Sequence, residues 1–311
     1  MLMPIKELCI KDLIMAEFSV SKVQEKTAGS GWFNGFIGVL LFSGSLPATR
    51  MAVSAFDPIF VTLARASIAG VLAFTTLMVF KERRPEKKQL GSLLVVALGC
   101  VVGFPLLSAL ALQHITSAHA MVFIGILPVS TAVFGIVRGG ERPKPVFWLF
   151  SALGSVLVIG YALLQGITVS PIGDILMILS IILCGLGYAE GAKLTKILGG
   201  WQVISWALLM SLPIMLPLTF VFMPQYFDGV PISAWGSLIY VSLFSMFIGF
   251  VFWYKGLAQG GTATIGQLQL LQPFFGLALA AGLLQEKVSV GMVTVTVAVI
   301  LCVLGTRKFA R

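Results

Sequence analysis

Residues 117–142, SAHAMVFIGILPVSTAVFGIVRGGER, and residues 262–287, TATIGQLQLLQPFFGLALAAGLLQEK, share one layout at a constant offset of 145. Ala118 meets Ala263, Pro128 meets Pro273 and Glu141 meets Glu286, while Ser117 stands opposite Thr262 and Arg142 opposite Lys287. At the same offset Val158 meets Val303 and Gly160 meets Gly305. The identities are few, and their placement carries the weight. Each proline stands 11 residues beyond the start of its apolar run (117 to 128, 262 to 273). In a helix that is about 16 Å, close to the middle of a bilayer. Each glutamate falls at the loop that ends the run.

The rest of the chain has the composition such runs require. Of 311 residues, 58% are hydrophobic and 11% charged, against about 25% charged in soluble domains. A water-soluble fold of this length would leave a greasy exterior. Ten apolar runs are read as membrane helices: 32–54, 58–80, 90–112, 117–137, 146–165, 171–190, 201–223, 233–254, 262–284 and 288–306. Residues 1–30 lack the apolar core and cleavage site of a secretory signal and are read as a cytoplasmic tail.

The net charge of +9 does not point to nucleic acid, because the basic residues lie in short runs between apolar segments, as in loops facing anionic lipid. With the amino terminus inside, 18 of the 21 Lys and Arg fall on the cytoplasmic side, Arg50 and Lys287 fall outside, and Arg65 lies within a span. Both termini are therefore expected in the cytoplasm of a cell bounded by this plasma (inner) membrane. Cys100, Cys184 and Cys302 lie in apolar segments and Cys9 in the tail. None forms a CxxC pair, so they read as small hydrophobes, with no metal and no cofactor.

An offset of five helices makes the second copy enter from the opposite side. The fold expected is an all-α integral membrane protein of two inverted five-helix repeats, 31–165 and 166–311, with a site near the midplane where they meet. The pattern resembles the drug/metabolite transporter superfamily in its ten-helix EamA-domain form. The first half carries the resemblance from Phe56-Asp57-Pro58 with Arg65, through Ser117-Ala118 and Leu127-Pro128-Val129, to Glu141-Arg142. The second carries it through Gly261-Thr262-Ala263, Leu271-Gln272-Pro273 and Glu286-Lys287 to Val303-Leu304-Gly305. The resemblance implies a central cavity, alternating access and export of amino acids, metabolites or drugs. It also matches Arg65 to the family's second-helix arginine.

Arg65 is the one basic side chain well inside a span. It either meets substrate or gate, or it snorkels outward and pairs with Asp57. Gln269 and Gln272 share a helix face, opposite Ile124 and Leu127 of the first copy, and are read as substrate contacts or as interhelical glue. Gln267 points elsewhere and reads as glue. Ser43 and Ser45 are further cavity candidates, with Gly44 between them permitting close packing. Tyr188 and Trp253-Tyr254 are ligand contacts or interfacial anchors. Pro128 and Pro273 are hinge or gate residues, or static kinks. Glu190 and Lys193 read as a surface ion pair, His119 as an interfacial histidine, Asp174 as a helix-start carboxylate, and Glu141 and Glu286 as loop-closing residues. GxxxG pairs at Gly99/Gly103, Gly135/Gly139, Gly187/Gly191 and Gly256/Gly260 predict close helix approach.

The function read from these residues is a secondary transporter exporting small organic solutes. No catalytic cluster or nucleotide motif suggests an enzyme. A membrane scaffold or receptor, and less so an intramembrane enzyme, are the competing readings. Its partners are a small-molecule substrate and the lipid bilayer. No carboxylate stands at the midplane, which fits facilitated diffusion or proton coupling through His119 or an end-of-helix acid; both stay open, as does a homodimer.

Overall fold

The computed structural model describes residues 29–164, 170–284 and 290–309. Glu286, Lys287 and most of the amino-terminal tail lie outside them. Every regular element among the described residues is helical: α1 (Gly29–Val53), α2 (Pro58–Val79), α3 (Lys87–His114), α4 (Ser117–Ile124), α5 (Leu127–Gly139), α6 (Pro145–Leu164), α7 (Pro171–Leu198), α8 (Gly200–Val221), α9 (Ile232–Gly260), α10 (Thr262–Gly266), α11 (Gln272–Leu284) and α12 (Val290–Phe309). A 3₁₀ turn, Gln267–Leu271, joins α10 to α11. Six helices, α1, α2, α3, α7, α8 and α9, are long and apolar enough to cross a membrane, and α5 and α6 are shorter and apolar. Leu149, Phe220 and Val297 point outward from different helices, which suits contact with lipid tails rather than water.

Helix ends follow local chemistry. Asp57 caps α2 by accepting from Ile59 N (2.8 Å) and Phe60 N (3.3 Å) ahead of Pro58 at the first position, a favourable N-terminal pair. Asp57 is thus committed to the cap, and Arg65 neither pairs with it nor reaches solvent. Gly140 ends α5 with φ of +69°, the left-handed conformation glycine adopts at little cost. Arg50 donates to the carbonyl of Leu112, which has no partner within its own helix end.

Two expectations about helix length need correction. α7 runs to Leu198 and α9 to Gly260, well past the expected ends at 190 and 254. Charged residues suggested those ends, yet Glu190 is fully buried rather than paired at the surface with exposed Lys193. It accepts from Arg138 Nε (2.7 Å) and Ser92 Oγ (2.5 Å). One carboxylate therefore ties α3, α5 and α7 together, and the helix continues. The expected single run 117–137 is two helices, α4 and α5, broken at Gly125–Ile126.

Helices cross where glycines remove side chains. A Cβ on Gly99 of α3 would lie 2.5 Å from Leu183 O and 3.0 Å from Gly187 Cα of α7. One on Gly256 of α9 would lie 2.6 Å from Gly35 N and 2.8 Å from Gly35 Cα of α1. Backbones thus approach directly, as small-residue helix interfaces require. α2 packs along α8, α6 along α12, and α5 against α7.

Backbone irregularities recur at the repeat offset. α3 contains a π-helical stretch, Ala97–Gly103, and α9 contains another, Val241–Ile248. Adding 145 to 97–103 gives 242–248. Likewise the break at 125–126 maps onto 270–271, the end of the 3₁₀ turn. Pro128 and Pro273 each sit at the second residue of the helix that restarts after the disruption, where proline forfeits no helical hydrogen bond.

Candidate functional site

A cavity lies where α1, α2, α3, the α4–α5 break, α7, α9 and α11 meet. Among its lining residues are Arg65, Ser45, Ser245, Tyr188 and Gln272. Three pairs of lining residues are related by the offset of 145: Cys100 with Ser245, Pro105 with Phe250, and Leu127 with Gln272. Corresponding positions of the two repeats therefore face the same space.

Arg65 supplies the cavity's charge. Its residue is 3% exposed. Nη2 donates to Ser245 Oγ (3.2 Å), which is in turn 2.8 Å from Ser45 Oγ. Nε has no partner. No carboxylate pairs with this guanidinium among the described residues; the ion pairs there are Lys88–Glu86, His119–Asp174 and Arg138–Glu190. The arginine has no basic counterpart in the other repeat, where the offset leads to Met210.

The helix that carries Ser45 opens at Gly44, where Tyr240 Oη stands 2.7 Å from where a Cβ would be. Near this opening two main-chain carbonyls take side-chain donors: Leu41 O accepts from Tyr240 Oη (2.7 Å) and Phe42 O from Gln272 Nε2 (3.3 Å). Gln272 thereby bridges α11 to α1 at the cavity wall. Gln269 is fully buried next to Tyr188, outside the lining itself. Gln267 is also fully buried, its Nε2 donating to Ala263 O (3.5 Å) within its own turn.

Aromatic rings close one side. Tyr188 lies 5.9 Å from Phe250 and 5.4 Å from Trp253, and Phe42 lies 5.1 Å from Phe250, distances typical of edge and tilted ring pairs. Tyr188, Trp253 and Tyr254 are all buried, so they are packing and cavity groups rather than interfacial anchors. The volume a water centre can occupy is about 20 Å³, room for about one water.

Of the residues the sequence singled out, the cavity brings together Arg65, Gln272, Tyr188 and Ser45. Ser43 is fully buried and donates to Val39 O (2.7 Å) in its own helix, away from the lining. Sequence reasoning missed Ser245. The signal that finds it is the offset from Cys100 together with the need of Arg65 for a partner.

Two polar clusters flank the cavity. At the end of the bundle bearing Arg138, the Glu141 carboxylate accepts from Thr262 N (2.6 Å) and Ala263 N (2.8 Å), joining the end of α5 to the start of α10. Glu141→Ala is expected to lower stability by about 1–2 kcal/mol, the scale of losing a helix cap, with Glu141→Gln in between. Thermal melts of the detergent-solubilised protein check this ordering. At the other end, His119 is 6% exposed rather than interfacial. Its Nε2 lies 3.0 Å from Asp174 Oδ1, joining α4 to α7.

The EamA-like transporter family pattern matches residues 29–164 and again 171–307. A Bacillus subtilis (strain 168) protein named uncharacterized transporter YdeK is 66% identical over 282 residues, covering 91% of this chain and 98% of that one. An uncharacterized transporter of Archaeoglobus fulgidus is 25% identical, covering 80% of this chain and 87% of the relative. A Streptantibioticus cattleyicolor protein named a probable terminal-alkyne amino-acid exporter is 23% identical, covering 76% and 79%. A solved crystal structure shares the fold with a TM-score of 0.71 at 18% identity, over 89% of this chain and 98% of that chain. With its apolar helices and a family match that occurs twice along it, the chain belongs to the EamA-like transporter family and is a multi-pass membrane transporter.

Proposed function

We propose that this transporter is a secondary exporter of small organic solutes. It crosses the plasma membrane ten times as two five-helix copies of opposite topology, about 31–165 and 166–311, with residues 1–30 and both termini cytoplasmic. Solute enters the cavity around Arg65, Gln272, Ser245 and Tyr188, and rocking of the two copies exposes it to each side in turn. The observation that carries this reading is the matched lining: Cys100/Ser245, Pro105/Phe250 and Leu127/Gln272 face one space at a constant offset. The recurring π-helical stretches and helix breaks support it, because they put equivalent backbone features on both sides of that space. Pro128 and Pro273 then stand at equivalent restarts, where a bend costs few hydrogen bonds. Gln269, buried next to Tyr188 of this wall, joins the site when the cavity opens. An amino-acid-like solute is in keeping with the name of the Streptantibioticus relative.

As the place of energy coupling we propose His119–Asp174, where the buried imidazole meets a partly exposed carboxylate between α4 and α7, with His114 nearby at the end of α3 beside Gly173. Purified protein in proteoliposomes is expected to move at least one solute from a panel of amino acids and amphipathic drugs, faster with an imposed pH gradient. His119→Asn is expected to remove the gradient dependence while leaving exchange of labelled solute. No flux for any solute would favour a membrane scaffold instead. Flux indifferent to the gradient would remove the coupling.

A further inference from the structure

We infer that the transported solute bears a carboxylate and that Arg65 is its anchor. The inference rests on the transport reading above and adds the chemistry of the cargo. Arg65 lies in a helix apolar enough to cross a membrane and is almost completely buried, yet it faces the cavity. A charge at such depth is expensive unless it is paired. Its only hydrogen bond goes to a neutral hydroxyl, that of Ser245, and Nε is unpartnered. Asp57, two turns away on the same helix, is spent on the helix cap. The Nε and Nη edge of a guanidinium matches the two oxygens of a carboxylate, a bidentate charge-assisted pair.

The remaining lining decides among anions. Among the described residues, Arg65 is the one cationic residue in the wall. A phosphate dianion would keep one charge uncompensated, whereas a carboxylate is neutralised one for one. Phe42, Leu46, Ile124 and Phe250 leave the rest of the space apolar, which suits an organic body and not a hydrated inorganic ion. Ser45 reaches Ser245 beside the guanidinium, and Gln272 and Tyr188 add further neutral hydrogen-bonding groups to the lining. Among the described residues, the cavity wall holds no acid to receive a cation.

Binding to purified full-length protein in detergent tests this without requiring transport. Tryptophan fluorescence and melting temperature are followed during titration with phenylalanine against phenylalaninamide, benzoate against benzamide, chloride and inorganic phosphate. At least one acid is expected to half-saturate at a concentration about tenfold or more below its amide, the scale of a charge-assisted hydrogen bond in a buried site. Chloride and phosphate are expected to compete weakly. Arg65→Gln is expected to erase the difference between acid and amide, and Arg65→Lys to keep part of it. Equal binding of acid and amide, no binding of either acid, acid preference retained in Arg65→Gln, or phosphate or chloride binding as tightly as the acids would each overturn the assignment. If Arg65→Gln does not yield monodisperse protein, the wild-type comparison and Arg65→Lys decide. Acid-selective binding with no flux in proteoliposomes would sink the transport reading and keep the carboxylate site. Flux of uncharged solutes with no acid preference would do the reverse.

Discussion

Gly256→Ala is expected to lower stability by about 1–3 kcal/mol and to cut the yield of monodisperse protein. The added carbon would sit 2.6 Å from the Gly35 nitrogen. Both partners are main chain, so no side-chain rotation relieves the clash; α1 and α9 must separate along their whole contact. Cores that pack tightly pass such strain to neighbours rather than absorb it. Phe42 and Trp253 lie in that same contact, with ring centroids 6.1 Å apart, so the loss spreads towards the cavity. Gly236→Ala is the matched control: it lies in α9, nothing stands within 4 Å of the new carbon, and alanine favours helix. Thermal melts should place it at or above wild type. If the two variants melt alike, the close approach of α1 and α9 is wrong.

Arg138→Ala is expected to cost about 2 kcal/mol. Removing one partner of a fully buried pair costs about 3–5 kcal/mol because the other charge is stranded. The lower figure applies here because the Arg138 side chain is 43% exposed while that of Glu190 is 0% exposed, so water reaches part of the guanidinium. The geometry also fixes an order of variants. Glu190→Gln removes the buried charge and keeps a group able to bond with Ser92, so it should cost less, about 1 kcal/mol. The double variant should be more stable than Arg138→Ala alone, since no stranded carboxylate remains. Melting temperatures of the three variants check that ranking; a double variant less stable than both singles would show that the pair is not coupled as described.

The sequence displayed its helices because apolar runs with charged breaks are a lipid signature, and it displayed Arg65, Gln272 and Tyr188 because polar groups in such runs stand out. It concealed Ser245. Serines are common in apolar helices and usually bond to their own backbone, as Ser43 does to Val39 and Ser242 to Leu238, so one that faces a cavity looks like the others. It concealed the Glu190 pair for a different reason. Arg138 is 52 residues away in sequence, and only the packing of α5 on α7 brings the two together. Reading Glu190 as a helix end then mislocated Tyr188, which stands 10 residues before Leu198 (188 to 198), about 15 Å from that end. His119 and Asp174 were each visible as titratable residues; that they face one another is a property of tertiary structure.

A π-helical turn holds one residue more than the α-helix around it. Along α3 and α9, everything beyond Ala97–Gly103 and Val241–Ile248 is consequently out of phase with what precedes it by about 100°. Such slack is a screw thread with play: moving it by one position revolves the far portion about its own axis and advances it by about 1.5 Å, exchanging a few main-chain bonds rather than snapping the rod. Cys100 and Ser245 ride on those two threads, one from each copy, so a quarter-revolution of either would bring a different side chain to the cavity wall.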